Sequence, residues 1–290
     1  MSRSSAPYQQ GYALLLLVLM LFMAGSAMLY STMGPQANKL KHQASQKQMT
    51  ILEQVKTNLL LHAVSAPEIY ATNSNGNFYT SDRVPSPGYL PCPDINNNGS
   101  TTTPCGQGEE IVIGRLPAGL ATRHFRFIDN RSSPVFIWYV VDSRYVIQNP
   151  DYNNPPTKRY APLNSNTPGN GRIQLDNQTD LVALIFISEQ VPASSTDLST
   201  TSLKNLVNPS QNRFTRQNTR AVTISHQEWR AHVQGRVQNQ SSTLCQLDEE
   251  LAHWFNECNN PDSPSAECPA INDGRKNNPV GSNWRALLCS

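Results

Sequence analysis

Hydrophobic and polar positions fall into distinct regimes along the chain. From Tyr12 to Tyr30 (YALLLLVLMLFMAGSAMLY) almost every residue is apolar, and no polar face emerges at helical spacing. As a helix at ~1.5 Å per residue this run would reach about 28 Å, close to the ~30 Å of a bilayer core. Tyr12 and Tyr30 bracket it where interfacial aromatics are favoured. Leu40, Ala44, Met49, Leu52, Val55, Leu59 and Leu60 then recur at helical intervals, with Lys41, Lys47, Glu53 and Lys56 between them. No Pro or Gly occurs from Gln36 to Ser65. Gly34-Pro35 predicts a kink, and Pro67 predicts the end of the helix. The pattern predicts one helix of about fifty residues, apolar in its first half and amphipathic in its second.

After residue 65 the period shortens. Thr72–Pro93 is rich in Asn, Ser, Gly and Pro and reads as loop. Ile111–Gly114, Val135–Val141, Tyr145–Ile147, Leu181–Ser188 and Arg220–Ser225 are short β-branched or aromatic runs and read as strands. Pro150–Gly171 is a long Asn/Pro/Gly loop. Ser225-His-Gln-Glu228 has capping-box spacing, and Trp229, Val233 and Val237 follow at helical spacing. A further helix is predicted over Thr243–Glu257, with Leu244, Leu247, Leu251 and Trp254 on one side. The expectation is an α+β chain: a long N-terminal helix packed on a small, mainly antiparallel sheet, with a helical, disulfide-braced C-terminal part.

Charge narrows the function classes. Lys plus Arg number 23 and Asp plus Glu 21, a net charge of +2. Sequence-independent binding of polyanions needs a larger basic excess. The six cysteines, Cys92, Cys105, Cys245, Cys258, Cys268 and Cys289, all follow the apolar run, and none forms a CxxC pair. An even count without metal spacing fits disulfides in an oxidising compartment. Cys92 with Cys105 closes a short turn-rich loop. Cys245 and Cys258 would stand ~20 Å apart on one helix, beyond disulfide reach. The simplest remaining set is Cys245–Cys289 with Cys258–Cys268. Buried free thiols in the cytosol are the alternative.

The apolar run has three readings: a retained anchor, a secretory signal cut after Gly25-Ser26-Ala27, or a processed leader followed by an anchor. Positive-inside counting, with Lys39, Lys41 and Lys47 against Arg3, would keep the body in the cytoplasm, whereas the cysteines place it outside. A short polar leader ending in Gly11, an aromatic at Tyr12 and a long helix that turns amphipathic resemble type IV pilins and type II secretion pseudopilins. Pro87–Pro93 with Asp94, and Ile113–Pro117, also resemble a segment of some large minor-pilin-like proteins.

That resemblance implies cleavage between Gly11 and Tyr12 by a prepilin peptidase and methylation of the new terminus. It divides the chain into a leader (1–11), an N-terminal helix (12–64, with 12–33 transmembrane and 34–64 amphipathic) and a periplasmic domain (65–290). The chain departs from the family at Leu16, where most members carry a Glu that pairs with a neighbour's amino terminus. An unpaired buried amine is costly, so the departure implies a minor subunit at a fibre end. Implied partners are other pilin-type subunits, the peptidase and the inner membrane.

Other motifs carry less. Asp94-Ile-Asn96-Asn-Asn98-Gly99 matches the opening of a calcium loop, but the twelfth position is Cys105 and lacks the bidentate carboxylate. A turn closed by a disulfide accounts for the same residues. Arg213, Arg216, Arg220, Arg230 and Arg236, interleaved with Phe214 and Trp229, form a candidate nucleic-acid patch, or simply a solvated surface. His226, Glu228 and His232 lack the spacing of a zinc helix. No nucleophile elbow, P-loop or dinucleotide fingerprint occurs, so neither enzyme activity nor a cofactor is expected. A secreted or singly anchored periplasmic ligand-binding domain with a cleaved signal peptide is the competing class, and an unfamiliar periplasmic enzyme a distant third.

Overall fold

The computed structural model describes residues 9–71, 84–96, 98–120, 125–128, 137–147, 171–188, 207–208, 213–214, 219–246, 255 and 284–289, without the side chains of 9–11, 13, 27–37, 188, 207–208, 286 and 287. The chain forms two compact units, Met1–Gln48 and Met49–Ser290. The first helix, α1 (Gln9–Val64), runs through Gly34-Pro35 without ending there. Among the described residues no helix is long and apolar enough to cross a membrane. The span expected over 12–33 is therefore not shown. Ser65 breaks α1, and Pro67 sits in the first turn of the short α2 (Ala66–Ile69), where its missing N–H is no loss.

The second unit is built on one mixed sheet. Its strands are β1 (Ile111–Arg115), β2 (Trp138–Asp142), β3 (Ile173–Leu175), β4 (Gln178–Ser188), β5 (Val207–Asn208), β6 (Arg213–Phe214) and β7 (Thr219–Ser225). The order is β1-β2-β4-β3-β6-β5, with β7 also on β4. All pairings are antiparallel except β3 with β6. Strand alternation sends side chains to two cores. Tyr139, Val141, Ala183, Ile185, Val222 and Ile224 join Leu52, Val55 and Leu59 of α1 and Trp229, Val233 and Val237 of α3 (His226–Leu244). Trp138, Val140, Leu184, Phe186 and Ala221 form a second cluster with Ile173, Leu175 and Phe214. β2 is thus buried at every residue. The continuous apolar runs at β2 and β4 reflect this, since each side chain of Leu, Ile, Val or Phe buried contributes roughly 1.5–3 kcal/mol on either face.

Three expectations change, and the loop reading of Thr72–Pro93 holds where that segment is described. Tyr145–Ile147 is not a strand: Ser143–Tyr145 forms a 3-10 turn capped by Asp142, and Val146 bridges Leu90. The part of the Thr72–Pro93 loop that is described is irregular but buried from 85 to 93. Its backbone is satisfied by bonds such as Leu90 N–H to the Tyr145 carbonyl (2.7 Å) and Ile147 N–H to the Leu90 carbonyl (3.0 Å). β3, β5 and β6 were not expected, being only 2 or 3 residues long. The helix expected from Thr243 does not start there. Leu244 lies two turns beyond Val237 on the buried stripe of α3, and the helix continues to it before turning at Cys245. The remainder of that expected helix, Phe255 apart, and the Pro150–Asn170 loop lie outside the described residues.

Candidate functional site at the N-terminal helix

The first unit carries a surface without a partner among the described residues. Tyr12 is 74% exposed, Phe22 80%, and each residue from Leu14 to Met23 at least 50%. Ten consecutive positions cover nearly three turns, so the exposure is on every side of the helix. Leu16, Leu17, Met20, Leu21 and Ala24 outline a shallow groove, all from the same helix. Soluble monomers rarely expose contiguous apolar patches above a few hundred Å². Chemically, this surface can exchange water for lipid or for other apolar helices. Leu16, where the family resemblance implies a carboxylate, is one of these exposed apolar residues.

In the second unit, the end of α1 is gripped by polar contacts as well as by packing. His62 is fully buried, its Nδ1 3.1 Å from the Tyr89 carbonyl and its Nε2 3.4 Å from the Tyr70 hydroxyl. Tyr70, Phe125 and Phe127 surround the ring. Burial among these groups lowers its pKa to about 3, against the opposing pull of the Tyr89 carbonyl. From the other side Trp229 Nε1 donates to the Gly88 carbonyl at 2.8 Å. Two elements therefore hold one strap at adjacent residues. Lys56 pairs with Glu228 at 2.8 Å, and Arg236 bonds both carboxylate oxygens of Glu68 and the Val64 carbonyl that ends α1. Asn58 Nδ2 donates to the Phe127 carbonyl at 2.9 Å.

A buried ion pair fixes the sheet end. Arg144 Nη2 lies 2.6 Å and Nε 3.1 Å from the Asp142 carboxylate, which also accepts the Arg144 and Arg172 amides. Tyr145 and His226 adjoin it, with Trp229 against both rings. Burial first, then the Asp142 charge, raises the Tyr145 pKa, while burial lowers that of His226 despite Asp180. Neither the Tyr145–His226–Trp229 ring cluster nor the ion pair was expected as a structural unit; only the tertiary neighbours identify them.

The residues singled out by the sequence divide as follows. Gly11 and Tyr12 lie within α1, with Tyr12 exposed. Cys92–Cys105 and Cys245–Cys289 are disulfides, as expected. Cys258 and Cys268 lie outside the described residues. The Asp94 carboxylate accepts the amides of Asn98 (3.2 Å) and Gly99 (2.8 Å), and the Asn98 side chain accepts that of Ser100 (2.8 Å). These are the bonds of a self-closed Asn/Gly turn, with Asn96 exposed beside it. No group of three His, Cys, Asp or Glu suited to a metal occurs among the described residues.

The arginines with described positions lie on three separate elements. Arg213 lies on β6 and Arg220 on β7, with β3 and β4 between these strands; Arg230 and Arg236 lie on α3; and Arg216 is outside the described residues. Arg236 is engaged with Glu68. His226 is buried, whereas His232 is exposed with Nδ1 3.1 Å from the Glu228 carbonyl, so the pair does not converge. No family model, curated protein or solved structure matches this chain.

Proposed function

We propose that the chain is a minor pilin or pseudopilin: a non-enzymatic subunit that inserts in the inner membrane and joins or primes a type IV pilus or a type II secretion pseudopilus, at the tip. The observation that carries this reading is the all-round exposure of Leu14–Met23 in a helix that becomes amphipathic and docks onto a disulfide-braced body. The apolar half sits in lipid and, after removal of residues 1–11, exchanges lipid for the helices of neighbouring subunits. Dispersion, not the hydrophobic effect, then favours the fibre, because both environments are apolar. Leu16 gives no carboxylate to a neighbour's amino terminus, which restricts the subunit to a fibre end. The body faces the periplasm, where Cys92–Cys105 and Cys245–Cys289 persist.

The test is the intact mass and N-terminal sequence of the membrane-extracted protein. The reading expects a start at methylated Tyr12. A soluble protein starting at Met28 replaces it with a secreted binding domain. An uncut Met1 leaves a plain anchor.

A further inference from the structure

We infer that Lys39 and Lys41 form a headgroup clamp, binding the phosphates of anionic lipids in the leaflet on the body's side of the membrane; this rests on the membrane reading above. No Asp or Glu precedes Glu53, so the lysines of this stretch have no acidic neighbour in sequence. Both are exposed on α1. At ~100° per residue they point about 200° apart, to opposite sides of the helix. A helix lying flat on a surface presents its cations along one polar face. Opposed lysines meet headgroups together only when the helix stands upright.

The spacing along the axis agrees. Leu21 is the midpoint of the Tyr12–Tyr30 run, and Lys39 follows it by 18 residues. That is about 27 Å along the helix, or ~25 Å across the bilayer at the usual ~20° tilt. The headgroup layer ends ~20–22 Å from the midplane. Lys41 stands about 28 Å out on the same scale, and the methylene stem of each lysine reaches back from there toward the headgroup edge. Lys47 lies about 37 Å out on the same scale, more than a Debye length of ~8 Å beyond the headgroups. It is an internal control: a basic residue of the same helix too far out to take part.

The experiment reconstitutes the full chain in phosphatidylcholine vesicles holding a minority of phosphatidylglycerol. Electron paramagnetic resonance of spin-labelled forms of each lipid gives their relative association with the protein. The expected result is a preference for phosphatidylglycerol of about fivefold per engaged lysine, from ~1 kcal/mol each. The preference falls to unity in K39Q/K41Q and in molar salt, and survives in K47Q. An unchanged thermal transition of the body shows that K39Q/K41Q still folds. Equal association of both lipids with the wild type overturns the clamp, as does a preference that survives K39Q/K41Q or is lost equally in K47Q. If alkaline carbonate strips the wild-type chain from the vesicles, the membrane reading falls, and the clamp with it.

Discussion

His62 is a polar residue that the core keeps neutral. Its pKa of about 3 when folded, against 6.5 unfolded, means that the unfolded chain takes up a proton first as pH falls. The stability it permits is complete above pH 6.5 and declines from there toward pH 3. His226 is shifted in the same direction. Unfolding free energies of the full chain in detergent should therefore fall between pH 6.5 and 4.5, before most carboxylates titrate, by up to ~1.4 kcal/mol per pH unit from His62, with His226 adding in the same direction. His62→Phe should remove one proton's share of that slope; an unchanged slope would show that His62 does not titrate this way. Asp142 is the complementary case. Asp142→Asn removes the carboxylate that meets the buried Arg144 guanidinium and should cost about 3–5 kcal/mol in the same measurement. Neither role is legible in a single position. His62 occupies a helical slot between Leu61 and Ala63, and only the rings of Tyr70, Phe125 and Phe127 make it a core residue.

At the scale of elements, α3 is the clasp. Ser225 caps it by accepting the Glu228 amide at 3.1 Å, as the sequence spacing predicts. Its far end is tied by Cys245–Cys289 to the short α4 (Trp284–Leu288), and Arg285 donates to the Cys245 carbonyl at 3.2 Å. Opening this disulfide frees a separation of 44 residues. On the loop-entropy scale that loses about 4 kcal/mol, against ~3 for the shorter Cys92–Cys105. Calorimetry of C245S/C289S and C92S/C105S should rank them in that order. β1 offers a sharper test. A Cβ on Gly114 would stand 2.6 Å from the Pro93 Cβ and 2.9 Å from the Asp94 carbonyl. Gly114→Ala should destabilise by about 1–3 kcal/mol, because the strap lies against the strand with no room to move. A neutral substitution would mean that the strap yields. The β1, β4 and β7 runs were readable because each is long enough to show β-branched composition. β3, β5 and β6 were not, since 2 or 3 residues carry no period.

For the whole molecule, the proposed function turns on whether the apolar surface of residues 14–23 finds lipid or water. Leu17→Lys with Leu21→Lys places two charges near the middle of the run, at ~2.5–3.5 kcal/mol each on the insertion scale. The double variant should move from the membrane pellet to the soluble fraction while the oxidised body keeps its melting transition. Retention in the pellet would show that the run is not what anchors the chain.

Features with a local cause are legible in the chain before it folds. An unbroken apolar run needs no tertiary information to be recognised, because it is a property of consecutive residues. The amphipathic second half, the Ser225 cap and the short Cys92–Cys105 closure likewise depend on neighbours a few residues away. The rest arises only once distant segments meet. Their packing buried β2 and β4 on both faces, placed the Gly88–Tyr89 strap between His62 and Trp229, and kept Tyr145–Ile147 from becoming a strand. It also drew Arg236 out of a notional basic patch into a bond with Glu68, 168 residues away in the chain. These outcomes depend on contacts between distant segments, and no local period encodes which distant segment will arrive.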